Sequence, residues 1–85
     1  MITLEDIKRD MNACNETDVF YYDCDKEIGY HMHVHSNGRC IYMKHMGKQI
    51  VPISEEDFVK SINGQAVSSI GSENYYEFKW YTLFI

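Results

Sequence analysis

Apolar residues recur three or four positions apart at the start of the chain. Leu4, Ile7, Met11 and Cys14 fall on one face of a helix, and Glu5, Lys8, Arg9 and Asn12 take the wet side. Thr3 stands where a capping hydroxyl belongs, with Asp6 three residues on as an approximate capping box, so a helix is predicted over 3–13. The polar stretch 15–18 breaks it. The period then changes from 3.6 to 2. Residues 19–24 read as a strand by their β-branched and aromatic content, with Asp23 facing water and Phe20, Tyr22 and Cys24 facing in. A polar turn follows at 25–27, and Gly29 marks a bulge early in the next strand.

The sharpest local signal is Ser36-Asn37-Gly38-Arg39. Asn-Gly between two strand-like runs predicts a hairpin with a two-residue type I′ turn. That turn pairs Ser36 with Arg39, His35 with Cys40, Val34 with Ile41, His33 with Tyr42, Met32 with Met43 and His31 with Lys44. Alternation then puts Tyr30, Met32, Val34, Ile41 and Met43 on a core face. His31, His33, His35, Cys40, Tyr42 and Lys44 share the other face, and His45 points away from it.

Met46-Gly47 turns the chain into a fourth strand that ends, or lies at an edge, at Pro52, which has no N–H to give a ladder. Ser54 caps a second helix, and Glu55, Glu56 and Asp57 suit the positive end of its dipole. Phe58, Val59 and Ile62 form its apolar face, and Asn63-Gly64 closes it. Residues 65–74 read as a loop, or as a short irregular strand over 66–69. A long amphipathic strand is predicted over 75–85, where Tyr76, Phe78, Trp80 and Phe84 alternate with polar residues. So apolar a strand belongs inside the sheet or beside its first strand. The order α-β-β-β-β-α-β describes an α+β fold. An antiparallel sheet of four to five strands carries two helices on one face and leaves the other face open.

Eighty-five residues allow one domain, 1–85, with one core. No apolar run approaches the ~20 residues that span a bilayer, so no membrane role is expected. The acidic N-terminal stretch does not read as a signal peptide, which places the chain in the cytoplasm. Three cysteines, Cys14, Cys24 and Cys40, form no C-x-x-C pair, and an odd number suits reduced thiols better than a disulfide framework. The net charge of −5 argues against direct nucleic-acid binding through phosphates. It fits a basic or nucleic-acid-binding protein partner instead. Seven tyrosines suit both a β-rich core and a contact surface.

Three sets of residues can carry chemistry on this layout. His31, His33, His35, Tyr42 and Lys44, on an open sheet face, together with the acids Asp23, Asp25 and Glu27, make a surface for a protein partner. His33, His35 and Cys40 form a candidate zinc site. Strand residues two apart lie about 7 Å from each other on one side, and the type I′ register puts Cys40 across from His35. The His31/His33/His35 row could also act as general acid and base in a small RNA-processing enzyme, with Lys44 beside a phosphate. Such a row would also respond to pH, because its charges repel once protonated. No phosphate-binding glycine loop or nucleophile elbow is present. Beyond zinc at the His33/His35/Cys40 site, no cofactor is expected.

The reading favoured by size, acidity and the open face is a small acidic, non-enzymatic interaction protein that binds and inhibits another macromolecule. In size and charge it is like the immunity proteins that neutralise toxins and the phage-encoded inhibitors of host defence. The zinc module and the RNA-processing enzyme are the alternatives. A homodimer would bury an open face or an unpaired last strand.

Overall fold

Both helices begin on a hydroxyl. In the computed structural model, which describes residues 1–23, 25–64 and the backbone of 67–70, Thr3 Oγ1 accepts from Asp6 N at 3.2 Å and Ser54 Oγ from Asp57 N at 3.0 Å. These caps open α1 (Leu4–Ala13) and α2 (Glu55–Ile62). Each satisfies a backbone donor that a helix start leaves without a partner. Asn63, which caps the end of α2, does more than close that helix. Its amide donates to Val59 O at 2.8 Å and Ile2 O at 3.0 Å, and its oxygen accepts from Ile2 N at 2.7 Å. One side chain thus ties the chain's start to the end of α2. Cys14, expected on the buried face of α1, falls instead at its C-cap and is exposed; Ile7 and Met11 are the buried residues of this helix.

The strands are β1 (Asp18–Asp23), β2 (Ile28–Val34), β3 (Cys40–Met46), β4 (Gln49–Pro52) and β5 (Val67–Ile70). They form one antiparallel sheet in the order β4-β3-β2-β1-β5. The α+β class and the order α-β-β-β-β-α are those the sequence predicts, with β4 and its Pro52 at an edge. β5 lies beside β1 and corresponds to the short strand expected over 66–69. The long strand expected over 75–85 lies outside the described residues.

Both helices cover the same face of the sheet. Ile7 and Met11 of α1 and Phe58 and Ile62 of α2 pack with Tyr21, Tyr30 and Met32, and Val19, Val34, Cys40, Tyr42 and Ile53 line the edge of this core. On β1 it is therefore Val19 and Tyr21 that meet the helices, not Phe20 and Tyr22. Phe20 faces the opposite side and is still fully buried. That side was expected to be open. At its centre it is closed, since Phe20, His31 and His45 are 0%, 6% and 3% exposed. Asp23, expected to face water, is buried as well. Its Oδ1 accepts from Asp25 N at 3.0 Å and Lys26 N at 3.1 Å, and so closes the turn between β1 and β2.

The β2–β3 hairpin differs from the type I′ expectation by one residue. A type I′ turn needs positive φ at both central positions. Gly38 has φ +87°, but Asn37 is not left-handed. Gly38 N donates to His35 O at 2.8 Å and His35 N to Arg39 O at 2.8 Å, which makes a three-residue loop with glycine at its left-handed position. Asn37 Oδ1 accepts from Arg39 N at 2.9 Å and steadies the loop. Val34 therefore pairs with Cys40, His33 with Ile41, Met32 with Tyr42, His31 with Met43 and Tyr30 with Lys44. Every side chain of β3 changes sides relative to β2. Tyr42 now packs on Phe58, ring centroids 5.1 Å apart, and Ile41, Met43 and His45 join the histidine face.

Two measurements check this arrangement. Met32 and Tyr42 form a close, non-hydrogen-bonded pair, so an NMR cross-peak between their Hα protons is expected. A His33–Tyr42 cross-peak in its place would mean the type I′ register, in which that pair is the close, non-hydrogen-bonded one. Asn63→Ala should lower stability in urea by about 1 kcal/mol through its lost hydrogen bonds. No change would show that the tie to Ile2 contributes nothing.

Candidate functional site

β1 and β2 pair so that Asp18 lies opposite His33 and Phe20 opposite His31. Residues directly opposite share a face, and the side chains on it link into a chain. His45 Nε2 lies 3.3 Å from His31 Nδ1, and His31 Nε2 lies 2.8 Å from Asp18 Oδ1. His33 Nδ1 reaches the same Oδ1 at 2.8 Å from the other side. Thr17 Oγ1 donates to Asp18 Oδ2 at 2.9 Å. One protonation pattern satisfies all four contacts with neutral imidazoles. His45 donates to His31, His31 donates to Asp18, and His33 and Thr17 donate to Asp18 as well. The carboxylate is the common acceptor at the end of the relay.

Depth grades this chain. His45 and His31 are buried, with Phe20 stacked on His31 at a centroid distance of 4.1 Å and edge-on to His45 at 6.4 Å. The side chains of Asp18 and His33 are 26% and 31% exposed, and His35 beyond them is exposed. The His33 and His35 rings meet edge to face with centroids 4.8 Å apart. Burial pushes the Asp18 carboxyl up, but hydrogen bonds from His31, His33 and Thr17 together outweigh it and hold the group below its ordinary value of 3.8.

The candidate residues divide among three places. His33 and His35 come together at the hairpin end, joined by Asp18. His31 lies on the same face but is buried, so the row of three does not form a surface. Tyr42, Lys44 and Cys40 stand on the helix side, because the hairpin register carries β3 over by one residue. Burial, with Cys40 and Glu55 nearby, pushes the Tyr42 phenol up to about 12. Cys40 pairs with Val34 rather than His35, and its Sγ reaches Gly38 O at 3.7 Å, so the expected His33/His35/Cys40 set is not assembled. Among the described residues, no group of three or more His, Cys, Asp or Glu side chains is arranged to hold a metal ion.

Asp25 and Glu27 are exposed at the opposite end of β2, about 20 Å of strand from His33. There Asp23, Asp25, Lys26, Tyr30 and Lys60 line a groove between the β1–β2 turn and α2. The acids and the histidines thus belong to two separate surfaces. Asp18, His45 and Phe20 are the participants that sequence reasoning missed. Asp18 and Phe20 alternate on β1 as His31 and His33 do on β2, and this was the signal available.

Comparison of the chain with protein-family models, curated proteins and solved structures finds no match.

The low pKa of Asp18 has a consequence for acid stability. The folded state binds fewer protons at this group than the unfolded state does. Its contribution is therefore complete above about pH 4 and is lost as the pH falls through the folded value. In chelator-treated protein, Asp18→Asn should cost about 1–2 kcal/mol near neutrality, because charged hydrogen bonds become neutral ones. It should also flatten the loss of stability in acid. Urea melts from neutral to acid pH measure both, and an unaltered acid limb in Asp18→Asn would remove this carboxylate from the account.

Proposed function

We propose that this chain is a small acidic interaction protein that binds and inhibits another macromolecule and is not itself an enzyme. The observation that supports it best is how the fold uses its histidines. His31 and His45 are internal members of a hydrogen-bonded chain ending on Asp18, so a surface row of three acid–base groups is not on offer to a substrate. Lys44, the group that would have met a phosphate, stands on the opposite side of the sheet from His33.

The binding surface in this reading is the β1–β2 turn. Asp25 and Glu27 are exposed there beside the groove, where Tyr30 and Lys60 add a ring and a second polar wall. Exposed carboxylates on a chain of net charge −5 steer encounter with a basic or nucleic-acid-binding protein. Cytoplasmic action fits the thiols of Cys14 and Cys40, which are unpaired. No helix among the described residues is long and apolar enough to cross a membrane.

Affinity capture with the purified chain, followed by an activity assay of the captured protein, tests the reading. The wild-type chain should retain one partner at equal stoichiometry and suppress its activity. The double charge reversal Asp25→Lys with Glu27→Lys should lose that partner while keeping its melting temperature. Incubation of RNA with the pure chain between about pH 5 and pH 8 should leave it uncut. Cleavage by wild type that vanishes in His33→Ala would overturn the proposal in favour of an enzyme.

A further inference from the structure

His33 and His35 stand two residues apart where β2 ends, with both rings at the surface and 4.8 Å between centroids. The two nitrogens of His33 are not equivalent. Nδ1 lies 2.8 Å from Asp18 Oδ1, and a carboxylate oxygen accepts, so the proton belongs on Nδ1 and the lone pair on Nε2. A carboxylate behind the far nitrogen is the arrangement that orients metal-bound imidazoles. It sets the tautomer, fixes the ring and raises the basicity of the ligating nitrogen. Among the described residues, the His35 nitrogens carry no hydrogen bond.

We propose that His33 and His35 chelate a divalent transition metal of the zinc class, with His33 ligating through Nε2 and Asp18 as the carboxylate that orients it. Imidazole is a ligand suited to zinc, nickel and copper. No third His, Cys, Asp or Glu among the described residues joins the pair, so water fills the remaining positions and the site is open. Cys40 takes no part, since it stands opposite Val34 on the helix side of the sheet. The chelate depends on the hairpin end alone. It and the interaction surface at the β1–β2 turn can fail independently.

The test is titration of zinc chloride into the untagged 85-residue chain, stripped with chelator, at about pH 7.5, where imidazole is neutral. Imidazole NMR signals and calorimetry are the readouts. One zinc per chain is expected, with the largest shifts at His33 and His35. His35→Ala should abolish binding without changing the melting temperature of the metal-free protein, because its ring is exposed. Cys40→Ser should bind as wild type does. Asp18→Asn should keep the stoichiometry and weaken the affinity by about 10–100-fold, which a purely structural carboxylate would not do. Unmoved His33 and His35 signals at millimolar zinc overturn the proposal. So does wild-type affinity in His35→Ala, or loss of binding in Cys40→Ser.

Discussion

Side chains on a strand alternate with a period of two, so the number of residues in a hairpin loop decides which of them meet the helices. In this chain the deciding position is Gly38. With one left-handed residue rather than two, the β2–β3 loop has three residues, and β3 sits one step away from the register of a type I′ turn. Tyr42 then packs on Phe58, and Cys40 lines the helix-side core. On the other side the same step brings His45 within reach of His31. A single backbone conformation thus sets both the apolar core and the composition of the polar chain behind it.

Placing histidines at the centre of a sheet face is costly unless each nitrogen finds a partner, since a buried donor or acceptor left alone costs about 1–3 kcal/mol. Asp18 is what makes the arrangement workable. A carboxylate only accepts, so it can end a line of donors from three residues at once. Among the described residues, no buried side-chain nitrogen or oxygen lacks a partner. Phe20 supplies the apolar cover by stacking on His31. The network is polar in content but packed like a core.

What the sequence made legible follows from where physics acts locally. The caps Thr3 and Ser54, the helix positions Ile7, Met11, Phe58 and Ile62, the order of the first four strands and the edge position of Pro52 all depend on neighbours a few residues apart. The register did not, because Asn-Gly suits two loop lengths equally well in composition and only the long-range packing of Tyr42 and Met32 chooses between them. The faces of β1 were misread for a related reason. Phe20 and Tyr21 are both buried, on opposite sides, so no polar alternation marks which one meets the helices. Asp23 looked like a surface acid because its two backbone partners lie in a turn whose shape composition does not specify. Of the candidate site, the H-x-H spacing of His33 and His35 could be read directly. Asp18 could not, because its role comes from pairing across to β2.

The same residue type on one strand serves two ends according to depth. His31 directs both nitrogens at fixed partners inside the fold, which makes it a structural group. His33, two residues on, spends only Nδ1 on Asp18 and keeps Nε2 for what lies outside. Because both rings share one carboxylate oxygen, the inner chain and the outer pair are not independent. A cation on His33 Nε2 strengthens its N–H bond to Asp18, and whatever loosens the His31 bond shifts the carboxylate toward His33. By linkage, a ligand that binds the folded hairpin end more tightly than the unfolded chain must stabilise the fold to the same degree. Asp18 stands at the boundary between the buried and exposed histidines and accepts from one of each.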